Sequence, residues 1–238
     1  MPDSKEAALG RFITFAMSLT VVVGMFAAPV TRSTPYRTVT RDTPLFHVAV
    51  VGDSYTTGTD EGGLGANNWA ARAWELLDRR GIEIAPDVSA EGAAGYVVRG
   101  NRNGIFIDSV NRAVRTDDAL VVFFGSRNDH GVNPEDLATN ARDAFALAHR
   151  IAPSARLLVI GPPWPTADVP PDIWQVRDVL SRQAQMAGAM FIDPLVERWF
   201  VGPPNLIGPD GVHPTDAGHA YLAERIAPLI AAQLPRNT

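Results

Sequence analysis

The chain has 238 residues, 46% of them hydrophobic and 20% charged, with a net charge of -5 and no cysteine. Its length suits one ordinary globular domain with a terminal extension. The acidic balance argues against a nucleic-acid partner. The missing cysteines exclude disulfides, thiolate metal ligands, a thiol nucleophile and a lipid-bearing cysteine.

Near the amino terminus, Phe12 to Ala28 is an uncharged, mostly apolar run preceded by Lys5 and Arg11 and followed by Arg32 and Arg37. As a helix it would reach roughly 25 Å, close to the thickness of a bilayer's hydrocarbon core. A secretory signal has the same layout, but the cleavage position is poor, with Phe26 two residues before Ala28 and Pro29 after it. Residues 1–30 are therefore expected to form a signal peptide or membrane anchor, and residues 31–44 a linker rich in Thr, Arg and Pro. Either reading puts the domain, residues 45–238, beyond the cytoplasmic membrane, secreted or anchored to its outer face. Membrane association would run through residues 12–28.

From Leu45 the pattern alternates. Leu45 to Val51 reads as a buried strand and ends in the turn Gly52-Asp53-Ser54-Tyr55. Asn67 to Arg80 carries Trp69, Ala73, Leu76 and Leu77 at helical spacing and stops at Gly81. Ile82 to Val88 predicts a second strand, which leads into the small-residue loop Ser89 to Gly95. A short helix follows around Ile107 to Val114, then a strand over Ala119 to Phe124 and a helix over Pro134 to Ile151. Arg156 to Ile160, Asp172 to Ala187 and Ala189 to Ile192 read as strand, helix and strand. Thr215 can cap a last helix that extends to about Ala232. This alternation implies a three-layer α/β fold with helices on both faces of a parallel sheet. Five strands fit the flavodoxin-like order 2-1-3-4-5. In that order strands 1 and 3 are neighbours, which brings Ser54 beside Asn128.

A serine at the carboxyl end of a strand is a nucleophile only if a base, an orienting acid and oxyanion donors accompany it. His213 is the candidate base and Asp210, three residues earlier, the candidate acid. The amides of Ser54 and Gly92 and the side chain of Asn128 are candidate donors for the oxyanion hole. Each piece alone has a plainer reading: Asp210 and Asn128 as turn residues, His213 as a surface histidine, Gly92 as a loop glycine. All of them occur in order, at the ends of strands or in the last loop before a helix. That coincidence favours a serine-dependent acyl-transfer enzyme.

These segments resemble the blocks of the SGNH (GDSL-type) hydrolase family, of the actinobacterial exported or membrane-anchored type. Ser54 in GDSY matches the family's serine, Gly92 in SAEGAAGY its glycine, Asn128 in GSRND its asparagine and His213 in DGVHP its histidine. Tyr55 stands where the family name has leucine, and Gly95 competes with Gly92 for the hole, with Gly92 preferred because Ala90-Glu91-Gly92 aligns best with the family's block. The resemblance covers Val48 to about Leu229. It implies an esterase acting without metal or organic cofactor, most naturally on O-acyl esters of a carbohydrate or envelope lipid. It equally implies transfer of an acyl group such as octanoyl onto a sugar hydroxyl of a glucosylglycerate-type acceptor. A glycan-binding domain with an idle triad is a third reading. No protein partner is evident. Trp164, in Pro162-Pro163-Trp164-Pro165, reads either as a substrate-stacking wall or as a pin for its loop, and His130 is a candidate cleft residue. His47, His149 and His219 read as surface or packing residues.

Overall fold

The computed structural model describes residues 45–202 and 204–235. The expected anchor and linker lie outside them. Five parallel strands, β1 (Leu45–Gly52), β2 (Glu83–Ala90), β3 (Asp118–Phe124), β4 (Arg156–Ile160) and β5 (Met190–Ile192), run in the order β2-β1-β3-β4-β5. β1, β3 and β4 are continuous apolar runs because both faces of the sheet are covered. Val48, Val50, Leu120, Val122, Phe124, Leu158 and Ile160 pack against α2 (Trp69–Asp78) and α6 (Asp216–Gln233). The alternate residues Ala49, Val51, Val121, Phe123, Leu157 and Val159 pack against α3 (Phe106–Ala113), α4 (Pro134–Ile151) and α5 (Pro171–Met186). The fold and strand order are those expected from the sequence.

Differences are local and have physical causes. β2 continues past Val88 because pairing with β1 carries it on, Ser89 opposite Val51 and Ala90 opposite Gly52. Pro86 is tolerated within it because β2 is an edge strand. α2 starts only after Asn68, whose side chain accepts the Ala70 N–H at 2.8 Å. The single turn α1 (Ser54–Thr57) and the 3-10 turns at Gly65–Asn67 and Arg127–Asp129 are too short to leave a periodic trace.

His219 on α6 is fully buried, and its Nδ1 accepts the Trp69 N–H at 3.2 Å. This bond ties the first turn of α2 to α6. Burial lowers its pKa to about 4, with Asp216 opposing and Arg72 assisting. Between its ordinary value of 6.5 and about 4 the unfolded chain therefore binds a proton that the folded chain does not. Stability should fall as pH drops through that window. His219→Gln keeps an acceptor for Trp69 but does not titrate. Thermal melts between pH 7.5 and pH 4.5 should show a shallower acid loss of Tm in this variant than in the wild type.

Candidate active site

Ser54 opens α1 immediately beyond the end of β1, where Asp53 caps the turn by accepting the Tyr55 N–H at 2.9 Å. Its hydroxyl lies 3.0 Å from His213 Nε2. The other ring nitrogen of His213, Nδ1, is 2.5 Å from Asp210 Oδ2. Asp210 Oδ1 accepts two backbone amides, Val212 at 2.8 Å and His213 at 2.9 Å. One carboxylate thus grips both the backbone and the ring of the histidine. Burial raises the Asp210 carboxyl, but the bonds from His213 and Val212 outweigh it and leave the pKa below its ordinary value. The Tyr55 hydroxyl donates to the Val212 carbonyl and ties the histidine loop to α1. Behind that loop Thr215 caps α6 by accepting the Gly218 N–H at 3.1 Å.

The candidate donors line the same cleft of about 600 Å³ as Ser54 and His213. Asn128 is held at both ends: its N–H donates to Ser126 Oγ at 3.0 Å and its Nδ2 to the Ala94 carbonyl at 2.9 Å. The second N–H of that amide is left for a ligand. Gly92 and Gly95 are distinguished by their bonds. The Gly95 N–H donates to the Val98 carbonyl at 2.8 Å, and a Cβ there would come within 2.4 Å of the Asp129 carboxylate. Gly95 is small so that Asp129 can fit, and it does not line the cleft. The Gly92 carbonyl accepts the Asn101 N–H at 2.9 Å, while its own N–H, like that of Ser54, has no acceptor among the described residues. Such a constellation can take a proton from a hydroxyl and stabilise a tetrahedral oxyanion. Among the described residues no group of His, Asp and Glu is arranged to hold a metal.

A family model described as the GDSL-like Lipase/Acylhydrolase family matches residues 50–221. The chain belongs to this family. The GDSL lipase Rv0518 of Mycobacterium tuberculosis (strain ATCC 25618 / H37Rv) is 58% identical over 224 residues, which cover 93% of this chain and 97% of that protein. In fold the chain is similar to TesA, with a TM-score of 0.65 at 22% identity over 79% of this chain and 99% of that one. It is also similar to Est24, a carbohydrate acetylesterase from Sinorhizobium meliloti, with a TM-score of 0.60 at 18% identity over 79% and 99%. At those identities the likeness is one of fold.

Around this GDSL-type site the remaining residues sort by contact. His130 is exposed and lines the cleft. Trp164 does not line it; its ring lies 4.2 Å beneath the guanidinium of Arg127, which does. Sequence reasoning passed over three buried carboxylates. Asp129 accepts the amides of Tyr96, Val97 and Val98 at 2.7, 2.9 and 3.0 Å. Glu91 accepts those of Arg102 and Gly104 at 2.5 and 3.1 Å. Asp53 is the third. Their signal was adjacency, since each precedes or follows a candidate donor in the chain.

Burial raises the Asp53 carboxyl to a pKa of about 6; the Tyr55 amide and Ser126 oppose this, the Asp129 charge adds to it, and His213 opposes it. A raised pKa means that stability is fully present below the ordinary 3.8 and lost as pH rises through about 6. Asp53→Asn keeps an oxygen for the Tyr55 N–H and abolishes the charge. Urea unfolding should show the variant gaining on the wild type by on the order of 2–3 kcal/mol between pH 4 and pH 7.5, at ~1.4 kcal/mol per unit.

Proposed function

We propose that the protein is a serine esterase that removes O-acyl groups from a carbohydrate or an envelope lipid through an acyl-serine intermediate. The observation that carries this is the continuous line from the Ser54 hydroxyl to His213 Nε2 at 3.0 Å and from Nδ1 to Asp210 at 2.5 Å. Ser54 Oγ attacks the ester carbonyl as its proton passes to His213 Nε2, and Asp210 stabilises the imidazolium. The oxyanion takes hydrogen bonds from the amides of Ser54 and Gly92 and from Asn128 Nδ2. When the intermediate collapses, the ester C–O bond breaks and the alcohol leaves with the proton from His213. Water repeats the sequence on the acyl-serine, releasing the acid and restoring the hydroxyl.

A carbohydrate substrate is supported by fold likeness to Est24, and an envelope substrate by the export-like run over residues 12–28. Water as the acceptor is supported by exposure of the pair, with 27% of the His213 side chain and 32% of that of Asp210 reaching solvent. Transfer to a sugar hydroxyl would need water kept away from that base. Products of p-nitrophenyl ester turnover in the presence of glucosides, identified by mass spectrometry, separate the two: free acid is expected, and acylated glucoside would favour transfer.

Two variants test the machinery. A fluorophosphonate should add once to the wild type and not to Ser54→Ala, and labelling that survives the substitution would move the nucleophile elsewhere. Asn128→Ala should lower kcat by roughly 10²–10³ with KM largely retained, as removal of one oxyanion donor does. A change confined to KM would mean that Asn128 only binds substrate.

A further inference from the structure

Arg127 sits between the oxyanion residue Asn128 and the buried Ser126, and it lines the cleft together with Ser54 and His213. Three arginines stack on aromatic rings among the described residues: Arg127 on Trp164, Arg177 on Trp174 and Arg225 on Trp199 and Tyr221. Arg177 also pairs with Asp178 at 2.8 Å and Asp193 at 3.3 Å, and Arg225 with Glu197 at 3.6 Å. Arg127 alone of the three has no carboxylate within 4.0 Å. Its Nη1 is closed to solvent, which leaves the rest of the guanidinium to meet a ligand in the cleft.

The neighbouring phenol offers Arg127 an oxygen but no negative charge. Burial pushes the Tyr55 pKa well up, and the Arg127 charge and a hydrogen bond from its guanidinium pull it back only in part, so the phenol stays neutral. Its hydroxyl proton goes to the Val212 carbonyl. The one other arginine on the cleft wall, Arg102, is mostly exposed and lies 3.9 Å from the Glu91 carboxylate. A half-buried guanidinium held flat by an indole, with no counter-ion, in a protein of net charge -5, is prepared for an anion from outside. Its planar fork suits a carboxylate.

We propose that Arg127 is the anion-recognition residue of the cleft, and that the preferred ester carries a carboxylate, on its acyl or its alcohol part, which Arg127 binds. Trp164 then acts through Arg127 by fixing the plane of the guanidinium, as a positioning residue behind the wall. This rests on the esterase reading and narrows it to charged esters.

Two pairs of substrates separate the two possible positions of the charge. On the acyl side they are the mono-p-nitrophenyl ester of adipic acid and that of its neutral monoamide. On the alcohol side they are 4-acetoxybenzoate and 4-acetoxybenzamide. In one pair the wild type should favour the charged member by about 10–100-fold in kcat/KM, chiefly through KM, and the preference should shrink with added salt. Arg127→Gln should erase that ratio and Arg127→Lys should keep part of it. Carboxylate products should also slow fluorophosphonate labelling of Ser54 more than amide products do, a readout that needs no turnover. Absence of any charge preference in the wild type would overturn the proposal. So would an Arg127→Gln or Arg127→Lys variant, folded by circular dichroism, that loses charged and neutral esters by the same factor; Arg127 would then serve only to support Tyr55. Failure of Ser54 labelling would instead remove the esterase reading beneath it.

Discussion

Buried carboxylates that accept backbone amides set the shape of the cleft, and one stands next in sequence to each candidate donor. Asp53 precedes Ser54 and caps Tyr55, Glu91 precedes Gly92 and holds Arg102 and Gly104, and Asp129 follows Asn128 and holds three successive amides from Tyr96 to Val98. Taking a carboxylate out of water is unfavourable unless its oxygens are hydrogen-bonded. Here they are, mostly by fixed main-chain dipoles. The result is a set of loops that cannot rotate their own amides away. An oxyanion hole depends on this, because donors that must reorganise during the reaction lose much of their effect.

The sheet decides where those loops meet. β2, β1 and β3 are adjacent and parallel, so their carboxyl ends share one edge and point Glu91-Gly92, Asp53-Ser54 and Asn128-Asp129 toward a common space. The crossover from β1 runs out to β2 through α2 and that from β3 runs the other way to β4 through α4, and a crevice opens between them. The histidine loop arrives from elsewhere, just before α6. Its position relies on contacts across that crevice: Tyr55 to the Val212 carbonyl, and α6 fastened to α2 through His219 and Trp69.

Much of this was legible in the sequence because it is periodic or local. The apolar runs of β1, β3 and β4 and the helical spacing of α4 announce themselves, and Asp210 and His213 are close enough in the chain to suggest a pair. What was illegible depends on partners far away in sequence. The last residues of β2 are strand only because β1 pairs with them. Gly92 could be preferred to Gly95 from its place after Ala90-Glu91, but the physical reason, that only Gly95 packs on the Asp129 carboxylate, could not be read. Trp164 could be placed on the catalytic edge but not behind Arg127, because a stacking partner leaves no mark in a neighbouring proline. His219 reads as an ordinary helix residue until Trp69 is known to approach it.

The distribution of charge bears on what the cleft can accept. Overall the chain is acidic, with 26 Asp and Glu against 21 Lys and Arg. Beyond a Debye length of roughly 8–10 Å that excess is largely screened, so it does little to repel an arriving anion. Within the cleft the nearest ionised groups decide. Glu91 is buried there and occupied by amides, with Arg102 and Arg112 at 3.9 Å. Asp210 is occupied by His213 and two amides. Both acids are thus turned inward to backbone and ring, while the arginine at position 127 is turned to no acid. An acidic protein can in this way present a locally cationic wall beside its serine, because its negative charge is spent on holding loops in place.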